Sequence, residues 1–338
     1  MPDSADITEV EEPDPADGSV LVEGVLLGIC GTDVEIAAGD FGSGRRGAER
    51  MVLGHESLGR VLTAPPKSGF VPGDLVAGVV RRPDPEPCPA CARGDWDFCR
   101  NGRYTERGIK EADGYGAQQW RVDPYFAVKV PPELGRLGVL TEPASILTKA
   151  WDQVDQVGAR SWFEPEHVLV TGAGPIGLLA ALIAQQRGYV VHVLDRATDG
   201  PKPQLVEDLG GEYLTDLKDL DVVPDVVIEA TGNGQLVLDC AGLLGPGGIM
   251  CLTGISPGTE PIEAPMDPLT RQLVVRNAAI VGSVNAGKRH YAQAIDVLAA
   301  ADAHWLDRLI TRTVPLTKWP EALQKGPADI KVVVDLQS

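Results

Sequence analysis

The sequence predicts an α/β protein in which a small β-rich part precedes a doubly wound parallel sheet. Short β-like runs, separated by turns rich in glycine and proline, recur early in the chain, at residues 19–30, 52–63 and 73–80. From about residue 160 short apolar strands alternate with helical segments, with strands at 167–171, 190–195, 225–230 and 248–252. Such alternation is typical of a parallel sheet with helices on both faces. A helical run at 291–301 and an apolar strand at 331–335 follow.

Length and composition allow two domains with sizeable cores. The chain has 338 residues, of which 43% are apolar, and domains commonly take about 100–200 residues each. The net charge of −18 and the isoelectric point near 4.7 disfavour nucleic acid and anionic membranes as partners, because both are negatively charged. We therefore expect a small-molecule partner.

The sequence also predicts a cytoplasmic protein. No stretch approaches the roughly 18 consecutive apolar residues of a membrane span. The opening residues MPDSAD are acidic and lack the basic and apolar regions of a signal peptide. In a reducing compartment the six cysteines are expected to be metal ligands or core residues rather than disulfides.

A glycine-rich turn between the strand at 167–171 and the next helix predicts a dinucleotide site. Gly172 permits the tight turn, Gly174 lets the backbone approach a pyrophosphate, and Gly177 lets helix pack on strand. Pro175 and Ile176 begin the helix, whose N-terminus favours the negative phosphates. The alternative is a plain strand–turn–helix without a ligand.

An acidic residue at the end of the following strand supports the nucleotide interpretation. Asp195 lies 23 residues after Gly172, where a carboxylate would bind the adenosine ribose hydroxyls. A carboxylate there repels the 2′-phosphate of NADP and favours NAD. The neighbouring Arg196 suits a phosphate, so NADP remains an alternative.

Two short motifs in the β-rich part predict a catalytic zinc. Cys30 in CGTD and His55 with Glu56 in GHE carry side chains that zinc prefers, and Glu142 offers a further carboxylate. Separately each could be a core residue. Together, ahead of a nucleotide fold, they suggest a metal that stabilises an alkoxide during hydride transfer.

Three further cysteines predict a structural zinc. Cys88, Cys91 and Cys99 lie in a polar, proline-rich segment, and structural zinc sites want four ligands. Asp84 or Glu86 could be the fourth ligand. The alternative is a vestigial lobe with free thiols.

The chain resembles the zinc-containing medium-chain dehydrogenases, and within them the archaeal-type glucose dehydrogenases. The resemblance extends over nearly the whole chain. It rests on GICGTD (28–33), GHE (54–56), VPGDLV (71–76), the three cysteines, TERGI (105–109), TEP (141–143), GAGPIG (172–177), DVVIEATG (225–232) and GSVN (282–285).

The resemblance implies a GroES-like catalytic domain over residues 1–158, a Rossmann NAD(P)-binding domain over 159–285, and a return to the catalytic domain over 286–338. It also implies an active site in the cleft between the domains. Relatives of this kind are dimers or tetramers, so a homodimer or homotetramer is expected.

The resemblance also implies individual roles at the reaction centre. Cys30, His55 and Glu56 match the catalytic zinc positions, and Glu142 matches a fourth, exchangeable ligand. Thr32 matches the hydroxyl residue that relays the substrate proton. The reaction expected is NAD(P)-linked oxidation of an aldose at its anomeric carbon to a lactone.

Further roles follow from the same resemblance. Glu106 and Asn285 match positions that contact the sugar, and Thr231 and Asn285 are expected beside the cofactor. Glu35 lies five residues past Cys30, where some relatives carry a relay histidine; a plain helix-start carboxylate is the alternative.

Three positions depart from the pattern. Pro85 stands where the cysteine lobe has its first cysteine, Val80 replaces an expected asparagine, and Val275 replaces an expected histidine. Lost polar contacts can redirect specificity. Alternatives are therefore a polyol or amino-alcohol dehydrogenase, a dehydrogenase of a sugar derivative or cyclitol, or a non-catalytic nucleotide-binding protein.

Overall fold

The structure is a computed structural model that describes residues 5–45, 47–48, 50–256, 258, 261–264 and 266–338. Its strands are β1 (Val20–Ile29), β2 (Glu56–Thr63), β3 (Leu75–Gly78), β4 (Arg81–Arg82), β5 (Thr105–Arg107), β6 (Glu111–Ala112), β7 (Gln119–Val122), β8 (Ala127–Val130), β9 (His167–Thr171), β10 (Val190–Leu194), β11 (Glu212–Leu214), β12 (Val226–Glu229), β13 (Ile249–Leu252), β14 (Ala279–Gly282), β15 (Ile310–Pro315) and β16 (Lys331–Asp335). Its α-helices are α1 (Gly31–Ala38), α2 (Thr141–Gly158), α3 (Pro175–Gln186), α4 (Pro201–Asp208), α5 (Gly234–Ala241), α6 (Met266–Arg276), α7 (Lys288–Ala300) and α8 (Ala303–Leu309).

The chain divides into two compact units. The β-rich unit comprises the chain up to Ser145 together with Asn285–Ser338, and the parallel-sheet unit comprises Ile146–Val284. The division predicted after residue 158 coincides with the end of α2, whereas the two units divide inside that helix. Most of α2 packs within the second unit, where the Trp151 ring lies 5.7 Å from the Tyr189 ring.

The β-rich unit is built on a seven-stranded sheet in the order β15-β16-β1-β2-β3-β8, with β7 also paired to β1. A separate small sheet has the order β4-β5-β6. Alternate residues of β1, such as Val20 and Val22, are buried beside the Trp120 and Tyr115 rings. Position 78 requires glycine because a Cβ there would lie 2.3 Å from Tyr115 Cζ.

The register of three strands brings distant parts of the sequence to one edge of this sheet. Gly28 of β1 pairs with Glu56 of β2, and Ile29 pairs with Val332 of β16. The segments that follow β1, precede β2 and begin β16 therefore lie side by side. This edge carries three of the predicted metal ligands, Cys30, His55 and Glu56.

The second unit contains a six-stranded sheet in the order β11-β10-β9-β12-β13-β14, with all pairs parallel. The central residues Val168, Leu169 and Val170 are fully buried, as expected for strands covered on both faces. This order is that of doubly wound dinucleotide-binding sheets, in which ligands bind where the order reverses. The reversal lies between β9 and β12, and the predicted fold class is confirmed.

None of the described helices is long and apolar enough to cross a lipid bilayer.

Candidate active site and nucleotide site

Four predicted zinc ligands, which we call the mixed cluster (Cys30, His55, Glu56 and Glu142), converge in the β-rich unit. His55 belongs to two overlapping groups of metal-binding atoms, one with Cys30 and Asp33 and one with Glu56 and Glu142. Within each group the atoms lie within 4.8 Å of one another. Cys30 Sγ lies 3.2 Å from His55 Nε2. One thiol, one imidazole and two carboxylates form a donor set that suits zinc.

Local backbone geometry makes room for these ligands. Cys30 is the N-cap residue of α1, and Glu56 begins β2. A Cβ at Gly28 would lie 2.0 Å from Glu56 Oε2, so only glycine leaves space for that carboxylate. Gly54 has φ +92°, a left-handed conformation that turns the chain just before His55.

Asp33 lies behind His55 and was not assigned a role from the sequence. Its Oδ2 accepts a hydrogen bond of 2.9 Å from the Cys30 amide, and its Oδ1 lies 3.3 Å from His55 Nδ1. Burial opposes ionisation, but His55 and the Cys30 amide outweigh it, so the pKa of Asp33 is lowered. A carboxylate at one imidazole nitrogen with the ligand set at the other is a common arrangement behind metal-bound histidines.

The ionisable groups of the mixed cluster are buried or partly buried next to one another, and this shifts the pKa values of Glu142 and His55. Burial, together with Glu56 and opposed by His55, raises the pKa of Glu142 to about 7. Burial lowers the pKa of His55, but Asp33 and Cys30 outweigh it and raise that pKa well above its usual value. Burying several anionic groups together costs free energy unless a cation balances them, and a dication such as zinc provides that balance. The residues present therefore fit a zinc ion.

A buried lysine, also not identified from the sequence, contacts the mixed cluster. Lys331 Nζ donates hydrogen bonds of 2.7 and 2.6 Å to the two carboxylate oxygens of Glu56, and one of 3.1 Å to the Ile29 carbonyl. Burial disfavours the ammonium, but Glu56 and Cys30 outweigh it, so the pKa of Lys331 is raised.

The two predicted proton-relay residues lie on α1. Thr32 and Glu35 follow Cys30 by two and five residues and are both partly buried. Glu35 is not among the metal-binding groups that converge in the described part of the chain.

Glu106, a predicted sugar contact, is held by two neighbours at one oxygen only. Arg81 donates to Glu106 Oε1 from Nε at 3.1 Å and from Nη2 at 2.9 Å, and Asn285 Nδ2 donates to the same atom. Asn285 has φ +62°, which asparagine tolerates better than most residues. The role of Arg81 was not predicted. Glu106 Oε2 takes no hydrogen bond from the described residues.

The predicted nucleotide turn has the geometry that its glycines require. Gly172 has φ +92°, and Gly174 is the N-cap residue of α3, which begins at Pro175 and Ile176. A Cβ at Gly177 would lie 1.7 Å from the Gly172 carbonyl oxygen, so this position excludes every other residue.

Asp195 supports this turn from the end of β10. Its Oδ2 accepts a hydrogen bond of 2.7 Å from the Ala173 amide, and Lys202 Nζ lies 3.0 Å from the same oxygen. Burial opposes ionisation, but the Ala197 and Ala173 amides and Lys202 outweigh it, so the pKa of Asp195 is lowered. The neighbouring Arg196 is exposed.

A second buried carboxylate, missed from the sequence, organises the reversal point of the parallel sheet. Glu229 ends β12 and accepts hydrogen bonds from the Thr231 amide at 2.6 Å and from the Gly232 amide at 3.0 Å. Thr171 at the end of β9 donates to the same oxygen at 3.3 Å. Thr231 is thereby fixed in an exposed position beside the glycine turn. The sequence feature that could have identified Glu229 is an acidic residue at the end of the otherwise apolar strand in DVVIE.

The three lobe cysteines, which we call the cysteine cluster (Cys88, Cys91 and Cys99), also converge. Their sulfur atoms lie within 4.8 Å of one another. The Arg100 and Cys91 amides donate to Cys88 and lower the pKa of its thiol to about 6. Burial raises the pKa of Cys91 to about 11. The thiols fit three of the four ligands of a zinc ion.

The predicted fourth ligands of this cluster are engaged elsewhere. Arg103 Nε lies 3.2 Å from Asp84 Oδ2, and Arg103 Nη2 lies 2.8 Å from Glu86 Oε2. Neither carboxylate joins the group of sulfur atoms found in the described chain. The structure therefore gathers the three cysteines and leaves both predicted oxygen ligands paired with an arginine.

Two family models together match nearly the whole chain. The model described as alcohol dehydrogenase GroES-like domain matches residues 16–132. The model described as glucose dehydrogenase C-terminus matches residues 135–336.

Curated relatives agree with these models. A glucose 1-dehydrogenase from Thermoproteus tenax is 39% identical over 100% of this chain and 97% of its own length. One from Methanocella arvoryzae is 36% identical over 99% of this chain and 96% of its own length.

Solved structures share the fold. The glucose dehydrogenase of Haloferax mediterranei, in complex with NADP, Zn and gluconolactone, superposes with a TM-score of 0.90 at 29% identity, covering 97% of this chain and 95% of that one. An alcohol dehydrogenase from Thermotoga maritima has a TM-score of 0.79 at 23% identity, covering 98% and 94%, and shows the fold alone. As its motifs predicted, the chain belongs to the glucose dehydrogenase family within the zinc-containing medium-chain alcohol dehydrogenases.

Proposed function

We propose that this chain oxidises an aldose at its anomeric carbon to a lactone, with zinc and NAD(P). The observation that carries the proposal is the mixed cluster, in which His55 is held between Cys30 and Asp33. The glycine turn in the parallel-sheet unit supports the nucleotide part. The Haloferax mediterranei enzyme, whose complex contains NADP, Zn and gluconolactone, supports the sugar part.

Each residue has a role that follows from its chemistry. When bound, zinc would supply a Lewis acid for a developing alkoxide, and the nicotinamide would accept the hydride. Cys30, His55 and Glu56 would hold the metal, with Glu142 as the exchangeable ligand. Asp33 Oδ1, which lies 3.3 Å from His55 Nδ1, would favour the tautomer protonated at Nδ1 and leave Nε2 as the ligand atom.

Two further residues would act on the substrate itself. Thr32 would relay the proton released from the reacting hydroxyl, with Glu35 as an assistant. Glu106 would accept a hydrogen bond from another substrate hydroxyl through Oε2, while Arg81 and Asn285 keep Oε1 in place. Asn285 would contact the sugar and the cofactor as well.

The direct test combines metal analysis with a substrate screen. The purified protein is analysed for zinc per chain and assayed with NAD and NADP on a panel of aldoses and polyols. We expect aldose oxidation, a lactone product, and bound zinc of which one ion per chain is lost when His55 is replaced. Absence of zinc together with no turnover on any alcohol would contradict the proposal and favour a non-catalytic nucleotide-binding protein.

The substrate-binding role of Glu106 is tested by Glu106→Gln. We expect KM for the aldose to rise about tenfold to a hundredfold, because a hydrogen bond to a charged group contributes roughly 1.5–3 kcal/mol. KM for the cofactor should stay within about twofold of its value, as in the exposed control Glu133→Gln. An unchanged KM for the sugar would remove Glu106 from the site.

NAD is the cofactor we favour, with NADP as the alternative. Asp195 would accept hydrogen bonds from the ribose and repel a 2′-phosphate. Lys202, which pairs with Asp195, and Arg196 reduce that repulsion. In Asp195→Asn we expect kcat/KM for NADP to rise about tenfold relative to NAD, about 1.4 kcal/mol, with Asp199→Asn as the exposed control. A fall in that ratio would reverse the assignment.

A sugar derivative or cyclitol is the second candidate substrate class. Val80 is buried and Val275 lies exposed on α6, so neither supplies the polar contact that the family pattern predicts. A less polar or differently substituted ring would tolerate this loss. The panel should therefore include deoxy and amino sugars, polyols and cyclitols, and the highest kcat/KM decides the class.

We further propose that the β-rich unit is the catalytic domain and that the protein is a cytoplasmic homo-oligomer. The six cysteines are free thiols, which suits a reducing compartment. Strand β14 ends the six-stranded sheet, and Ile280 on it is partly exposed. An open strand edge is a ready surface for pairing with a second copy, and light scattering of the purified protein tests this.

A further inference from the structure

We propose that Lys331 is a positioning residue that competes with zinc for Glu56 and so sets how tightly the catalytic metal is held. This inference rests on the zinc site proposed above. It adds a resident cation to that site, supplied by a residue that lies 275 positions from Glu56 in the sequence.

The contacts of Lys331 use all three of its donors. The ammonium bonds both carboxylate oxygens of Glu56, at 2.7 and 2.6 Å, and the Ile29 carbonyl at 3.1 Å. The Lys331 side chain is 1% exposed and that of Glu56 is 3% exposed, so water does not substitute for these contacts. The carboxylate is further confined by Gly28, which leaves no free volume on that side.

The charge inventory explains why this ammonium matters. Cys30, Asp33, Glu56 and Glu142 are buried or partly buried acidic groups around one imidazole. Within the described residues, Lys331 is the lysine or arginine that forms an ion pair with one of them. In the absence of metal it is therefore, beside His55, a counter-ion that makes the cluster tolerable in the folded protein.

The same contact weakens zinc binding for two reasons. An oxygen of Glu56 that binds zinc must share or give up its bond to Lys331, because both oxygens are engaged. The ammonium charge also repels a dication at short range in a buried site. Lys331 thus lowers the affinity of the site for zinc and stabilises the metal-free site.

The test measures zinc affinity by chelator competition in Lys331→Met, which has a side chain of similar length and no charge. The relevant zinc is the one whose binding is abolished by His55→Ala. We expect its dissociation constant to fall at least about tenfold, which means tighter binding. We also expect a lower melting temperature without zinc and a larger rise on adding zinc than in the wild type. Lys149→Met, at another buried lysine, is the matched control and should leave this dissociation constant unchanged.

A second pair of variants separates competition from general repulsion. In a Glu56→Gln background, adding Lys331→Met should change the dissociation constant much less, because the shared carboxylate is gone. If Lys331→Met cannot be recovered even with zinc, Lys331→Gln is used in its place with the same expectations.

The possible failures are distinguishable. Weaker or unchanged zinc binding in the Lys331 variant would overturn the competition and leave Lys331 as a purely structural ion pair. A wild-type protein that holds no zinc dependent on His55 would overturn the proposed function and this inference together.

Discussion

The mixed cluster and the cysteine cluster both gather metal-binding atoms in the β-rich unit, but their surroundings differ. Around the mixed cluster, Asp33 and Lys331 hold His55 and Glu56 in place by direct contacts. Around the cysteine cluster, the nearby carboxylates Asp84 and Glu86 are paired with Arg103 instead. A site with supporting residues behind its ligands is preorganised for chemistry, whereas a structural thiolate site serves mainly to stabilise a loop.

The sharpest separation of the two clusters is expected from His55→Ala. Loss of the Lewis acid should lower kcat/KM by about a thousandfold or more and remove one zinc per chain. Any zinc held by the cysteine cluster should remain. Metal analysis and steady-state kinetics check this, with the exposed His304→Ala as control. Loss of both zincs would show that the clusters are not independent.

Asp33→Ala tests the support behind the mixed cluster. Losing the carboxylate beside His55 Nδ1 should weaken zinc binding about tenfold to a hundredfold, the usual effect of removing such a partner. Chelator competition measures it, and Asp40→Ala, at an exposed position just after α1, serves as the control. If both variants bind zinc as the wild type does, the mixed cluster has no advantage of preorganisation over the cysteine cluster.

Cys99→Ser tests whether the cysteine cluster contributes to stability and not to turnover. We expect the loss of the lobe zinc and a fall in melting temperature of about 5 °C or more, since structural zinc contributes directly to folding. Turnover below the melting temperature should stay within about threefold of the wild type. Cys240→Ser, a buried cysteine in the other unit, should leave the zinc content unchanged. A hundredfold loss of turnover would mean that the lobe serves the chemistry.

The smallest effect is expected from Arg103→Ala, measured by thermal unfolding at several pH values. Arg103 is largely exposed, so its pairs should contribute only about 1–2 °C to the melting temperature. Burial opposes the ionisation of Asp84, but the Glu86 amide, Asn101 and Arg103 outweigh it and lower the pKa of Asp84. The contribution of Arg103 is therefore present above the unfolded pKa near 3.8 and is lost as pH falls through the lower folded-state pKa. The difference from the wild type should therefore be constant above about pH 5 and shrink below about pH 4.

The same variant shows whether a carboxylate can complete the cysteine cluster. Freed from Arg103, Asp84 or Glu86 could become the fourth ligand, and the lobe zinc would then bind more tightly than in the wild type. Unchanged zinc affinity would indicate that the fourth ligand is not a carboxylate of this loop.

Much of the nucleotide site could be predicted because it is local. Gly172, Gly174 and Gly177 are spaced by the geometry of one turn and one helix, and Asp195 follows on the next strand. The steric requirement for glycine at position 177 comes from the carbonyl oxygen of Gly172, five positions earlier. Motifs of this kind are short because the contacts that require them are between near neighbours.

The supporting residues could not be predicted in the same way. Lys331 begins a strand of valines, and nothing near it in the sequence indicates a buried ion pair with Glu56. Arg81 and Asn285 meet at Glu106 although 204 residues separate them. Asp33 had a local signal, as the acid three residues after an N-cap, but its contact with His55 depends on the pairing of β1 with β2.

By itself the sequence determined the fold class, the family, the candidate zinc ligands and the glycine turn, because each is encoded in side chains that lie close together along the chain. Only the tertiary structure decided which charges surround those ligands. The register of β1, β2 and β16 places an ammonium on Glu56, and the fold of the cysteine segment pairs Asp84 and Glu86 with Arg103. Electrostatic partners are chosen by proximity in space, and that proximity exists only after the sheet has formed.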